Sequence, residues 1–546
     1  MSYRLDSIRL KNLRSLRDTG EIKLKPITIL VGKNSVGKST FLRSFPLLRQ
    51  SCEKQKRAPI LWYGKLVDFG DFNTTINRNA KKNKEDNICF SFNFKKRKVL
   101  NLLGKNSNFK KIFESVDDLL LTFNLKSEDN ITFLSDIELN FNKRKIKLEY
   151  GFFEKRDSFL KKISIDETVL FEQGFYDQFF DMKQENFLMN MEGSLTNISQ
   201  YYLLDEDFIL SDFRRVSFTA LMCFFNNFLN KNDIFIDDEK NSILSFCAKI
   251  YKNRNNFEKI NDLDDFLINV LEARKNEKFF NFILDKENVF KIFEILNLDA
   301  YMEAVSKIDS VLGDFYKNTR YLEPLRATAQ RYYRRQELSV DEIDSKGSNI
   351  AMFLDNLNSK KQIELKKFVE NYFGVEVRVK KDGGHLALTI YNNLLKTETN
   401  IADLGVGYSQ LLPFVIQLWD MSNNIEIEDR RPEYLWKYND MDHQSKFLLI
   451  EQPELHLHPA YQIKIVDIIA DLVKSHNSQR LGVLLETHSP NIVYRISELI
   501  ENNVIDSNSV QILIFEDDIN GSTEIRHASF DEDGDLINWP TGFFQV

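Results

Sequence analysis

Within residues 3–31 apolar positions alternate with charged ones. Ile8 and Leu10 stand beside Arg9 and Lys11, and Ile22-Lys23-Leu24-Lys25 repeats the two-residue period. That period puts successive side chains on opposite faces of a half-buried strand. Ile27-Thr28-Ile29-Leu30-Val31 is an almost continuous apolar run, the pattern of a strand buried on both faces. Gly32 ends it, and a helix is predicted over 39–49. From about 95 to 320 the texture changes: a lysine-rich, strand-like stretch at 131–150 gives way to helical spacing at 213–229, 264–284 and 288–312. No heptad repeat is sustained there, so a mainly helical insertion is expected rather than a long coiled-coil arm. After Tyr321, segments 376–380 and 386–391 flank Lys381-Asp382-Gly383-Gly384 as a hairpin. A helix (409–421), a strand (447–450), a helix (459–474) and a strand (482–486) then follow. Such alternation predicts an α/β fold whose two parts, 1–95 and 321–546, are interrupted by the insertion 96–320.

The sharpest chemistry lies at the first strand-to-helix junction. Gly32-Lys33-Asn34-Ser35-Val36-Gly37-Lys38-Ser39 is a complete Gly-x-x-x-x-Gly-Lys-Ser. Its glycines let backbone N–H groups turn inward around phosphate, and the positive helix end adds to the attraction. Lys38 is placed to reach the β/γ-phosphates and Ser39 to offer its hydroxyl to Mg²⁺. The chain is therefore expected to bind a nucleotide. Far downstream, Phe447-Leu448-Leu449-Ile450-Glu451 is an apolar strand ending in a carboxylate, as the Mg²⁺ shell of a P-loop protein requires. Ser39 and Glu451 are thus the expected metal-holding pair. Gln452-Pro453-Glu454 and Leu455-His456-Leu457-His458-Pro459 come next, and Glu486-Thr487-His488-Ser489 closes the following strand. A metal site built from His456, His458, His488 and two glutamates is the weaker reading, because a P-loop already accounts for carboxylate and histidine at strand ends.

Composition narrows the class. The 546 residues are 42% apolar and 28% charged, which excludes wholesale disorder. A net charge of −7 announces no global attraction to nucleic acid. Seven histidines count against several kinds of metallonuclease, leaving carboxylate-only sites open. Cys52, Cys89, Cys223 and Cys247 are far apart, which fits reduced thiols and gives no zinc signature. With no apolar stretch near the ~20 residues that span a bilayer, and no signal-peptide core in the first residues, a cytoplasmic protein without membrane contact is expected.

Together the motifs resemble the ABC/SMC/RecF class of P-loop ATPases. Ile8-Arg9-Leu10-Lys11-Asn12-Leu13-Arg14-Ser15 looks like that class's first strand, and Asn34 has the usual place inside its P-loop. The resemblance implies ATP with Mg²⁺, held at Asn34, Ser35, Gly37, Lys38 and Ser39. Glu451 matches the Walker B acid, Leu457-His458-Pro459 the D-loop region and His488 the switch histidine. Ala402-Asp403-Leu404-Gly405-Val406-Gly407-Tyr408-Ser409-Gln410 stands where the signature motif should be. Gly405, Gly407 and Ser409 would contact nucleotide there, with either Gly405 or Ser409 in the place of the signature serine. In this class one subunit's signature covers the γ-phosphate held by another, so the resemblance implies a head-to-head dimer or higher assembly. Where the class carries Asp-Glu in Walker B, this chain reads Glu451-Gln452. Gln452 cannot take a proton, and Glu454 either replaces it or, set on a turn with Pro453, points elsewhere. Slow hydrolysis is expected, with ATP acting as a bound signal.

Tyr321-Leu322-Glu323-Pro324-Leu325-Arg326, the 451–459 segment and Asp533-Gly534-Asp535-Leu536-Ile537-Asn538-Trp539-Pro540-Thr541-Gly542-Phe543-Phe544 resemble motifs of a bacterial group that includes the PtuA proteins of Septu antiphage systems, some retron-associated. This similarity covers about 1–75 and 320–546. It implies a PtuB-like HNH nuclease partner and, in retron versions, a reverse transcriptase with its single-stranded DNA. Related ATPases carry a Toprim nuclease domain, but only 58 residues follow His488, so nuclease activity is expected in trans. The acidic run Asp531, Glu532, Asp533, Asp535 contains Gly534 and reads as a solvated turn. Lys95-Lys96-Arg97-Lys98, Asn142-Lys143-Arg144-Lys145 and Arg331-Tyr332-Tyr333-Arg334-Arg335 are either solvated faces or phosphate contacts, the third suited to stacking bases. The alternative function is a RecF/SMC-like repair ATPase that loads on DNA.

Overall fold

A computed structural model of the chain describes residues 3–54, 56, 58–96, 112–152, 158–172, 180–184, 189–193, 216–231, 246–257, 259–271, 277–429, 446–475, 481–518, 521–541 and 543–544. Among them, sixteen strands share one sheet. One half is parallel: Thr319–Leu322, Lys446–Glu451, Leu481–Glu486, Ile27–Gly32 and Val510–Asp517 lie side by side in that order. Every residue of the three middle strands is buried, which is why they read as apolar runs. Neighbouring residues serve opposite faces. Leu30 and Leu449 pack into one core, and Ile29, Val31, Leu448 and Ile450 into the other. Ligands of open α/β sheets bind beyond the carboxyl ends of parallel strands. The P-loop, Glu451 and Glu486 all emerge at that edge.

The other half is antiparallel. Tyr3–Leu13 pairs with Ile88–Lys96, and a meander of Asp118–Glu128, Ile131–Phe141, Arg144–Phe152, Ser158–Ile165 and Thr168–Glu172 continues outward. The first half of the insertion thus extends the sheet, and its expected start at 96 coincides with the last residue of the strand Ile88–Lys96. Burial alternates as a strand demands, with Leu119, Leu121, Phe123 and Leu125 inside and Leu120 outside. The second half is helical, as the spacing suggested, and includes Val216–Lys231, Ile260–Leu271, Glu277–Ile283 and the 32-residue helix Lys286–Lys317. Asp285 caps the long helix by accepting the N–H groups of Glu287 and Asn288. Its Tyr316 packs against Phe45 and Phe92 at ring-centroid distances of 6.0 and 6.3 Å. One apolar core thus runs from the first strand through the meander to this helix.

The hairpin stands where it was expected: Val375–Asp382 pairs with His385–Asn392, closing at Asp382 opposite His385 around Gly383-Gly384. Gly383 has φ 55°, the left-handed conformation a two-residue hairpin loop needs. The next helix, Val406–Asp429, begins three residues earlier than the sequence suggested. Among the described residues no helix is long and apolar enough to cross a membrane.

Candidate functional site

The loop after Ile27–Gly32 is built by close approach. A Cβ on Gly32 (φ 144°) would lie 2.3 Å from the Phe515 carbonyl oxygen, and one on Gly37 (φ 102°) 2.6 Å from Ser15 Oγ. Both positions therefore require glycine. Ser35 adds a left-handed residue at φ 65°. Thr523 clamps the loop, its Oγ1 donating to the Val36 carbonyl at 2.7 Å and its N–H to the Ser15 carbonyl at 3.1 Å. Helix Lys38–Glu53 starts at Gly37 with no side-chain cap, so its first N–H groups are left for an anion. Lys33, Asn34 and Ser35 are exposed, whereas the Lys38 side chain is buried and folds back over the loop. Its Nζ donates to the carbonyls of Gly32 (2.9 Å) and Lys33 (2.6 Å), and burial lowers its pKa. A polyphosphate fits this cradle of inward-facing donors.

Two carboxylates stand side by side below it. Glu451 and Glu486 end adjacent parallel strands as register partners, and both are nearly inaccessible. Ser39 was expected to share a Mg²⁺ shell with Glu451. It instead donates to Glu486, with Oγ 2.8 Å from Oε2 and 3.0 Å from Oε1. Glu451 is held elsewhere: Arg43 donates to both of its oxygens at 2.7 Å, and the Tyr321 hydroxyl donates to Oε1 at 2.8 Å. Arg43's pKa is raised, chiefly by this bidentate bond. Glu486 is pushed up to about 7 by burial first and by the charge of Glu451 second. Lys38 Nζ lies 3.9 Å from Glu486. Hard oxygens on Ser39 and a carboxylate are the donor set Mg²⁺ takes alongside phosphate, so the residues fit that ion too.

The following turn carries the remaining predicted residues. Gln452 sits at φ 43°, and its N–H is given to the Glu486 carbonyl at 2.8 Å. Glu454 is not turned away by Pro453: its Oε1 accepts the His488 N–H at 2.7 Å, so it reaches the switch segment. Its Oε2 is buried with no partner among the described residues, and burial raises its pKa. The His488 ring is exposed, and burial of part of it together with Lys38 lowers its pKa. Behind the turn lies Arg326, a residue the sequence placed in a motif without a role. It is 5% exposed, its Nη2 approaches the Glu451 carbonyl at 3.5 Å, and burial lowers its pKa to about 10.

The signature segment forms a second group. Gly405 (φ 79°) has open space where a Cβ would go, and Val406 beside it is exposed. Ser409 is buried and its Oγ donates to the Val406 carbonyl at 2.7 Å, so its hydroxyl is spent within its own helix. Gly407 faces the His456 carbonyl, tying this segment to the D-loop region. Gln410 exchanges hydrogen bonds with the backbone of Arg326, linking the segment to the back of the Glu451 turn. His458 Nδ1 accepts the Ala460 N–H at 3.2 Å, and among the described residues no group of three or more His, Cys, Asp or Glu could hold a metal ion. Of the basic clusters, Lys95 pairs with Asp6, Arg144 with Glu294 and Lys145 with Glu138, as on a structural face; Arg97 and Lys98 lie outside the described residues. Arg331, Tyr332, Arg334 and Arg335 are exposed, with Arg331 paired to Asp403 beside the signature glycine.

The family model described as an AAA ATPase domain matches residues 4–493. No curated protein matches the chain. Among solved structures, the Smc head domain with an extended coiled coil, bound to the C-terminal domain of ScpA and derived from Pyrococcus furiosus, is similar at 10% identity and a TM-score of 0.32, over 97% of each chain. The SMC head domain from Thermotoga maritima is similar at 8% identity and a TM-score of 0.33, over 96% of this chain and 98% of that one.

Proposed function

The chain belongs to the AAA ATPase domain family, and from that premise we propose that it is the regulatory ATP-binding subunit of a bacterial antiphage defence complex. In this reading it controls a partner HNH nuclease through ATP-dependent pairing of its heads, and it hydrolyses ATP slowly. The observation that carries the switch is the contrast within one site. The phosphate cradle and its carboxylates are complete, yet the position of the hydrolytic base holds Gln452. Bound ATP with Mg²⁺ would supply polyphosphate charge that two heads can share. Lys38, Ser39 and the 33–37 backbone would hold it, and Gly405 with exposed Val406 would offer the surface a second head covers. Differential affinity for the paired state is what any ligand-driven switch requires. The defence assignment rests on the 321–326, 451–459 and 533–544 motifs. The acidic run that leads into the last of these is a turn closed on Asp531 Oδ1, which accepts the N–H groups of Asp533 and Asp535. The exposed Arg331–Arg335 cluster favours a second reading, a repair ATPase loaded on DNA. Tagged protein purified from its native operon separates the two. Co-purifying HNH nuclease supports the first, whereas recovery with DNA and recombination proteins and no nuclease overturns it.

A further inference from the structure

The position of Ser39 assigns a residue that no motif singled out. We propose that Glu486, rather than Glu451, is the carboxylate that holds the nucleotide's divalent cation together with Ser39. This rests on the ATP–Mg²⁺ reading of the site and deepens it. Three observations carry the assignment.

The first is spacing. Two oxygens bound side by side on an octahedral Mg²⁺ at about 2.1 Å stand roughly 3 Å apart. Ser39 Oγ lies 2.8 and 3.0 Å from the two oxygens of Glu486, so the pair already has the separation one ion imposes.

The second is the competition for Glu451. Both of its oxygens are engaged, by the two Arg43 nitrogens and the Tyr321 hydroxyl. Arg43 neutralises its charge in a bidentate bond, the strong kind of charged hydrogen bond. For Glu451 to join the metal, a divalent cation must sit beside the Arg43 guanidinium that both of its oxygens already serve, and like charges repel. Glu486 faces no such obstacle, because among the described residues its side chain accepts hydrogen bonds only from the very hydroxyl that would share the ion.

The third is charge. Two buried carboxylates face each other across neighbouring strands. Arg43 balances one of them. Among the described residues the other forms an ion pair with Lys38 alone, 3.9 Å away and hydrogen-bonded to loop carbonyls, with Arg43 acting on it more weakly. A phosphate drawing on Lys38 would leave Glu486 the under-compensated anion, and a divalent cation next to Ser39 restores the balance. Glu451 becomes a positioning residue: through Arg43 and Tyr321 it fixes the helix Lys38–Glu53 against the sheet.

The experiment measures binding of a non-hydrolysable ATP analogue with Mn²⁺ and with EDTA, alongside Mn²⁺ electron paramagnetic resonance. The proteins are wild type, Glu486→Gln, Glu486→Asp, Ser39→Ala and Glu451→Gln. The expected result is that Glu486→Gln and Ser39→Ala lose about 10- to 100-fold of metal-promoted affinity, read in each protein as the ratio of binding with Mn²⁺ to binding in EDTA, and that the protein-bound Mn²⁺ signal is altered. Glu486→Asp, which keeps the charge, should recover part of the loss, and this guards against a folding defect in the Gln variant. Retention of the full metal effect in Glu486→Gln, with its loss in Glu451→Gln, overturns the assignment while leaving nucleotide binding intact. Absence of analogue binding by the wild type under both conditions overturns the ATP reading itself.

Discussion

Replacing Gln452 with glutamate tests whether the chain is a slow switch. The backbone at this position is pinned: φ is 43° and the N–H is donated to the Glu486 carbonyl. The change therefore alters one terminal group, from a carboxamide that cannot take a proton to a carboxylate that can. A positioned general base is worth about 10²–10⁴ in rate, or about 3–5 kcal/mol of barrier. Steady-state phosphate release at saturating ATP should rise by that factor in Gln452→Glu. The rival base is Glu454, which the structure brings to the switch segment through the His488 N–H. In Glu454→Gln the amide oxygen can still accept that N–H, so the turn should survive and the slow wild-type rate should change less than about threefold if Glu454 is not the base. The pH profile adds a second readout. Burial raises the Glu454 pKa, so a rate resting on its ionised form would keep climbing with pH above the ordinary carboxylate range. Fast wild-type turnover that disappears in Glu454→Gln would refute the reasoning and make Glu454 the base.

Lys38→Ala removes the one buried cation of the cradle and should weaken ATP binding by roughly 10- to 100-fold or more in calorimetry; unchanged affinity would sink the P-loop assignment. ATP should raise the measured mass from one head to two, and Ser409→Ala should leave that pairing intact because its hydroxyl bonds its own helix. A strict monomer at every ATP concentration would end the pairing idea. Replacing Arg331, Arg334 and Arg335 together should weaken single-stranded DNA binding and flatten its salt dependence, and a binding curve unmoved across a salt titration would return the cluster to a solvated face. Burial raises the pKa values of Cys52 and Cys89 and pushes Cys223 up to about 12. These thiols should therefore react slowly with Ellman's reagent at pH 8 until guanidinium unfolds the chain.

Much of this site could be read in the sequence because its signals are local. The P-loop is eight consecutive residues with a strand on one side and a helix on the other, and the strand ending at Glu451 is a single apolar run. The hairpin at Gly383-Gly384 was legible for the same reason. What escaped depends on distant partners. Glu486 meets a hydroxyl 447 positions away, and Arg43 grips a carboxylate 408 positions away. No periodicity carries such pairings. Ser409 looked available as a signature serine because it opens a predicted helix, but with the helix beginning at Val406 the residue falls inside its first turn and faces inward. Of the meander at 118–172 only the strand-like stretch 131–150 was legible, and the rest escaped for another reason. Several of its less buried positions, Leu120, Ile131 and Phe133, are themselves apolar and blur the alternation, and only the neighbouring strands decide which face is inside.

The central place of the P-loop strand also sets a clock on biosynthesis. Ile27 pairs with Val483 on one side and Val510 on the other. A ribosome adding about 5–20 residues per second needs roughly 20–90 s to travel from the strand to its first parallel partner. Throughout that time Ile27–Gly32 offers two open apolar edges, the kind that recruit wrong partners and holdase chaperones. The Phe515 carbonyl that hems in Gly32, and the Thr523 clamp on Val36, arrive later still. A nascent or prematurely terminated chain thus carries the phosphate-binding motif without the walls that shape it. A phosphate site shaped by these walls therefore has to wait for the C-terminal strands to be made.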